Sequence, residues 1–152
     1  MSYKHDLEVL IDSFGKYFIK PSSGAREKTL AINGKNVYAD FSYDIKNGGK
    51  LFIEDDDAPR ALNNLIKYWR WCFMNEKYKP IHLIHIIGEL DSIYIDHCRF
   101  LKEHIENELS RNQFHYHLIT HNNQWSNPDK WLLKIKYTIE EIILKRKEQR
   151  ER

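Results

Sequence analysis

Glu54-Asp55-Asp56-Asp57 is a run of four carboxylates, and Asp40 precedes it by thirteen intervening residues. Successive side chains of a strand point to opposite faces, so Glu54 and Asp56 would leave one face together and Asp55 the other. Whether Asp40, on a preceding strand, joins them depends on register. Opposed residues share a face, and Asp40 can oppose Glu54 or Asp56 only if the hairpin loop has an odd residue count. A three-residue Asn47-Gly48-Gly49 loop, with glycine free to take positive φ, satisfies this; a two-residue Asn47-Gly48 turn would send Asp40 to the other face. Three convergent carboxylates repel one another, and a divalent cation with a preference for hard oxygens, Mg²⁺ (or Mn²⁺), would relieve that repulsion. Such an ion lowers the pKa of a bound water and stabilises charge growing on a phosphate. The plainer alternative is a strand end that exposes its carboxylates to water, with Asp57 capping the next helix.

The elements around this run set its geometry. Leu7, Leu10, Ile11, Phe14 and Phe18 fall at three- and four-residue spacings and predict an amphipathic helix over 5–18, ended by Lys20-Pro21-Ser22-Ser23-Gly24. Glu27 to Ile32, Asn36 to Ile45 and Lys50 to Asp56 are rich in β-branched and aromatic residues and are separated by Asn33-Gly34 and Asn47-Gly48-Gly49, which predicts a three-stranded meander. Leu62, Leu65, Ile66, Trp69 and Phe73 mark the core stripe of a second helix. A strand over Ile81 to Ile87, a helix from Ser92 to Leu109, a strand from Gln113 to His121 and a helix opened by Asn127-Pro128 follow. The strand 81–87 is apolar on both faces, as a central strand covered on both sides must be. The expected architecture is α/β, one mixed sheet with flanking helices in the order α-β-β-β-α-β-α-β-α.

With 152 residues and 41% apolar content the chain reads as one globular domain over 1–152, its basic end at 145–152 a frayed helix terminus. No apolar run is long enough to cross a bilayer, and the N-terminus lacks the basic-then-apolar pattern of a secretory signal, so the expectation is a cytoplasmic protein with no membrane partner. Cys72 and Cys98 sit among apolar neighbours, where a reduced, buried thiol is the ordinary outcome. A net charge of +2 does not by itself define a nucleic-acid partner.

The layout helix, loop, β-hairpin with Asp-(x)₁₃-Glu-x-Asp, helix, strand, over roughly residues 5–121, resembles the core of the PD-(D/E)XK nuclease superfamily, with its restriction-endonuclease-like fold. In that family an Asp on one strand and a Glu-x-Lys on the next bind Mg²⁺ and activate water for phosphodiester hydrolysis. Asp40 matches the Asp, Glu54 the Glu, and Asp56 stands where the Lys is expected. Glu8 on the first helix and Pro21-x-Ser23-Gly24 after it resemble the layout of archaeal Holliday-junction resolvases, where a helix-one Glu completes the metal site. The resemblance thus implies a Mg²⁺-dependent nuclease acting on DNA, with Asp40, Glu54, Asp56 and Glu8 at the metal. A homodimer follows by analogy, since cutting both strands needs two sites. Arg60 or Lys67 on the following helix could restore the lost positive charge, with Arg60 preferred because it is nearer in sequence to the cluster. Degenerate members of the superfamily exist, so a non-catalytic module binding nucleic acid or a protein partner is the competing expectation.

Eight histidines invite a transition-metal reading, above all His115-x-His117 with Cys98 or His121, but no CxxC or HExxH spacing supports it. Trp69 and Trp131 fall on apolar stripes and are assigned to packing, whereas Trp125, in a polar loop, is the best placed of the tryptophans to stack on a base. Lys16, Lys20, Arg26 and Lys28 surround the loop expected near the acidic hairpin and could attract phosphate.

Overall fold

The computed structural model describes residues 3–19, 26–32, 35–46, 49–56, 58–74, 80–88, 93–108, 114–120 and 128–151. Along the chain these form α1 (Tyr3–Asp12), a 3₁₀ turn (Gly15–Tyr17), β1 (Phe18–Ile19), β2 (Arg26–Ile32), β3 (Lys35–Ile45), β4 (Lys50–Asp56), α2 (Ala58–Met74), β5 (Ile81–Ile87), α3 (Ile93–Glu108), β6 (Phe114–Thr120) and α4 (Pro128–Glu151). The expected order is present, with one added element, the two-residue β1.

All six strands belong to one sheet. Its order is β1-β3-β4-β5-β6, and β2 lies beside β1 on the outer edge of β3. The strands β3 and β4 are antiparallel, whereas β4, β5 and β6 run parallel, so the sheet is mixed. Every residue of β5 is buried, as its two apolar faces demand. One face is covered by α2 and α3: Phe52, Leu83, Ile87, Phe114 and Tyr116 pack there with Ala61, Leu65, Tyr68, Ile95 and Ile105. The other is covered by α1 and α4, where Leu51, Ile53, Ile84, Ile86 and Ile119 meet Leu7, Ile11, Trp131, Ile135, Ile139 and Ile142. Among the described residues no helix is long and apolar enough to cross a membrane.

The hairpin between β3 and β4 determines where the carboxylates go. Asp44 pairs with Lys50, so an odd number of residues, 45–49, lies between them. Gly49 takes φ 92°, a left-handed conformation that favours glycine, and a Cβ there would stand 2.6 Å from the Pro80 carbonyl oxygen. That same carbonyl accepts from the Lys50 N–H at 3.0 Å, which docks the hairpin onto the entry to β5.

Two local expectations are corrected. The first helix ends at Asp12 rather than Phe18. Ser13 N–H is shared between the Val9 and Leu10 carbonyls and Phe14 N–H donates to Ile11, tightening the last turn into 3₁₀ geometry. Phe18 is then extended, paired with Ile45 and packed against Tyr43 with ring centroids 5.0 Å apart. In α2 the buried stripe is Ala61, Leu65 and Tyr68, while Ile66 is exposed and Leu62 and Trp69 are half-buried. The helix is rotated from the expected stripe because its inward face also carries polar residues that meet charge on the sheet.

Candidate functional site

β4 presents Glu54 and Asp56 on the face beneath α2, because Phe52, two residues earlier, packs in the α2/α3 core. α2 descends over that face and presents Asn64, Lys67 and Tyr68, spaced i, i+3 and i+4 and therefore on one helical stripe. The two sets interlock. Lys67 Nζ lies 3.0 Å from Glu54 Oε1, and the Tyr68 hydroxyl donates to the same oxygen. Asn64 Nδ2 is 2.7 Å from each oxygen of Asp56. Glu54 and Lys67 retain 4% and 14% side-chain exposure, so this ion pair is removed from water rather than displayed on the surface.

Behind β4 the polar layer continues. In the parallel register Glu54 pairs with His85, which places the His85 ring on the same face. His85 is fully buried; its Nε2 lies 2.6 Å from Asp56 Oδ2 and its Nδ1 2.7 Å from the Tyr116 hydroxyl on β6. An ionised Asp56 can only accept, so Nε2–H donates to it and, in the neutral ring, Nδ1 accepts from the Tyr116 O–H. The Tyr116 oxygen is in turn joined to the Cys98 thiol on α3. Burial pushes the Cys98 thiol above its ordinary value; the bond to Tyr116 opposes this and the Asp56 charge adds to it. Burial likewise drives the Tyr116 phenol far upward, reinforced by Cys98 and by Asp56. Both groups therefore stay protonated at neutral pH.

The expected residues separate as follows. The β3–β4 pairing reaches Phe41–Ile53, with Asp40 the next residue of β3 and Glu54 the next of β4; the Asp40 side chain lies outside the described residues. Arg60 is exposed, one turn before Asn64 on the same stripe, and Lys67 pairs with Glu54. Glu8 is carried by α1, whose Leu7 and Ile11 pack on the opposite face of the sheet from Glu54 and Asp56. The side chain of Asp55, on the alternate face of β4, is half-buried. The cap at Asp57, the loop residues Lys20 to Gly24, Trp125 and His121 lie outside the described residues, as do the side chains of Arg26, Lys28 and Cys72. Sequence reading did not single out Asn64, Tyr68, His85 and Tyr116; the signal available for the first two was a run of polar residues at helical spacing on a face that must meet the sheet.

Mg²⁺ or Mn²⁺ calls for hard oxygen ligands. Glu54 and Asp56 are of the right chemistry, yet both Asp56 oxygens already accept hydrogen bonds, and among the described residues no three His, Cys, Asp or Glu side chains are gathered so as to hold a metal ion. Glu54 Oε1 is likewise engaged, by Lys67 and Tyr68, and the Asp40 side chain lies outside the described residues. The histidines form a separate group. His82 and His115 stack at 4.6 Å between centroids and His82 Nδ1 lies 3.2 Å from His117 Nε2, all on the α1/α4 face, whereas Cys98 belongs to the other. Trp131 is buried and Trp69 half-buried, each within a core cluster, in keeping with a packing role.

In comparison with known proteins, no family model, curated protein or solved structure matches the chain.

Proposed function

We propose that the chain is a metal-dependent nuclease of the PD-(D/E)XK type, acting on DNA, in which Lys67 on α2 supplies the positive charge that the strand lacks at Asp56. The observation that carries this reading is the Lys67–Glu54 contact of 3.0 Å, on the sheet face that Glu54 shares with Asp56. Asp40 and Glu54 would hold Mg²⁺ or Mn²⁺, which when bound supplies Lewis acidity and an acidified water. Lys67 is a compact ammonium on a flexible stem, suited to follow charge on a phosphodiester. Tyr68 fixes Glu54, and the Asn64–Asp56–His85 bridge pins α2 to β4 and β5, so Asp56 acts as a positioning residue that keeps Lys67 over the site. Arg60, exposed on the same stripe, would contact the substrate backbone.

The test is incubation of labelled duplex, single-stranded and branched DNA with Mg²⁺ or Mn²⁺. Cleavage is expected to vanish in Glu54→Ala and to fall by about 100-fold or more in Lys67→Met, the scale typical of removing a group that stabilises transition-state charge. Arg60→Ala should act mainly through binding and be salt-sensitive. A second reading, a non-catalytic module of nucleic-acid or protein binding, is favoured by the saturation of both Asp56 oxygens by Asn64 and His85. Salt-sensitive DNA binding with no cleavage under either cation would select it.

A further inference from the structure

We infer that the outer face of α4 is the contact surface for a second copy of this chain, and that the two α4 helices pair antiparallel about a two-fold axis at the level of Thr138.

α4 runs from Pro128 to Glu151 and buries Trp131, Ile135, Ile139 and Ile142 beneath it. A helix that covers a sheet is ordinarily polar on its far side. This one carries Leu133, Tyr137 and Leu144 there, at 45%, 58% and 55% exposure. At 3.6 residues per turn the three fall within an arc of about 40°, opposite the buried stripe. Single exposed apolar residues are ordinary, whereas three large ones in line form a strip suited to contact.

Charge identifies what covers the strip. Lys134 and Glu141 border it on one side, Lys136 and Glu140 on the other, so each border is basic towards the start of the helix and acidic towards its end. A two-fold axis perpendicular to the helix sets each border against its own copy with the direction reversed. With the axis level with Thr138, Lys134 meets Glu141 of the other copy, Lys136 meets Glu140, and Leu133 meets Leu144, each contact occurring twice. The two Tyr137 rings come together beside the axis, as aromatic anchors do at the centre of an interface. A parallel pairing would instead set Lys134 beside Lys134 and Glu141 beside Glu141, and like charges at such flanking positions work against association. Two lysines and two glutamates also cancel, so the strip gives no net attraction to a phosphate backbone or an anionic membrane.

α4 covers the face of the sheet opposite Glu54 and Lys67. The copies therefore meet back to back with their Glu54 faces outward, and this pairing does not bring two such sites onto one duplex. The inference stands whether or not the chain cuts DNA.

The test is sedimentation of the full chain over a range of concentrations. The wild type should pass from monomer to dimer as concentration rises. Tyr137→Ala should raise the dimer Kd by at least about 10-fold, and Leu133→Glu combined with Leu144→Glu should leave a monomer whose Tm matches that of the dissociated wild type. Lys134→Glu alone and Glu141→Lys alone should each weaken the dimer, and the two together in one chain should restore it, because the exchanged charges again meet across the axis. Should the doubly substituted leucine variant not fold, Tyr137→Ala and the charge exchange carry the test. A wild type that stays monomeric at every concentration overturns the inference, as does a dimer indifferent to Tyr137→Ala and to the leucine substitutions. Failure of the charge exchange to restore a dimer that Lys134→Glu has weakened overturns the antiparallel pairing. A monomer that binds duplex DNA or anionic vesicles through Leu133, Tyr137 and Leu144 would give the strip to that partner and likewise overturn it.

Discussion

The side of the sheet under α1 and α4 and the side under α2 and α3 are lined by the same strands and filled in different ways. Beneath α1 and α4 the contact layer is Leu51, Ile53, Ile84 and Ile86 against Leu7, Ile11, Ile135 and Ile139, with His82 and His117 at one end and the half-buried Asp55 and Glu8 towards the other. Beneath α2 and α3 a comparable apolar set shares its layer with Glu54, Lys67, Asp56, Asn64, His85 and Tyr116. On the first face the strands around Ile53, Ile84 and Ile86 are covered mainly by apolar side chains. On the second face the Glu54–Lys67 pair and the Asp56–His85 contact lie within the packed layer itself. Buried ion pairs rarely repay their desolvation in full, so a concentration of them on one face marks that face as the place to look for function.

The widest separation between the faces should appear when one charge is removed. Lys67→Met leaves Glu54 buried with a hydrogen bond but no counter-charge, and should cost about 3–5 kcal/mol of unfolding free energy. Glu54→Gln in the same chain should recover most of that, because a neutral amide still accepts from Tyr68 and needs no cation. Urea denaturation of the two single variants and the double variant measures the coupling. Additive losses would mean that the pair behaves as a solvated surface contact and that the two faces do not differ in kind.

On the apolar face, Ile135→Ala should cost about 3 kcal/mol through lost transfer energy and the cavity left behind. That loss should be the same at pH 6 and pH 9, since no titratable group loses a hydrogen-bond partner. A pH-dependent loss there would show that the polar layer extends through the sheet.

The same contrast explains what could be read in advance. Apolar spacing locates α3 and all of the longer strands to within a few residues and the starts of α1 and α4, whereas the glycines of the hairpin left its residue count open between an even and an odd turn. At α2 periodicity finds Leu65 and Trp69 but favours Leu62 and Ile66 over Ala61 and Tyr68, while the Phe73 side chain lies outside the described residues. A small alanine and an amphipathic tyrosine carry little weight in a hydrophobic stripe, yet they are what fits above Phe52 and Glu54. Phe18 was similarly ambiguous, because a residue four positions after Phe14 suits a helix until Ile45 offers it a strand partner. Within the site, Glu54 and Asp56 are legible from strand alternation alone. His85 is not: its link to Asp56 depends on the parallel pairing of β4 with β5, a long-range register that no local pattern encodes. The descent of α2 over β4 brings Lys67, thirteen residues on in sequence, to Glu54.

The smallest effect, and the most diagnostic of the polar layer, is that of Tyr116→Phe. At neutral pH the change leaves His85 Nδ1 without its donor in a fully buried setting and should cost about 1–3 kcal/mol. Alkaline pH should narrow that gap. The Tyr116 and Cys98 acids are both raised in the folded chain, so above their unfolded values of 10.0 and 9.0 the unfolded chain releases protons that the folded chain keeps. Stability from these groups is complete below those values and is lost as pH climbs past them, at up to about 1.4 kcal/mol per pH unit for each group. Phenylalanine has no phenol to ionise, so the variant escapes the Tyr116 share of that loss while the wild type does not. Urea midpoints for the two proteins should therefore converge between pH 9.5 and about 11, with the wild type falling faster. Parallel curves would mean that Tyr116 ionises alike in the folded and unfolded chains, and that the hydroxyl bonded to His85 is reached by water in a way the apolar face never is.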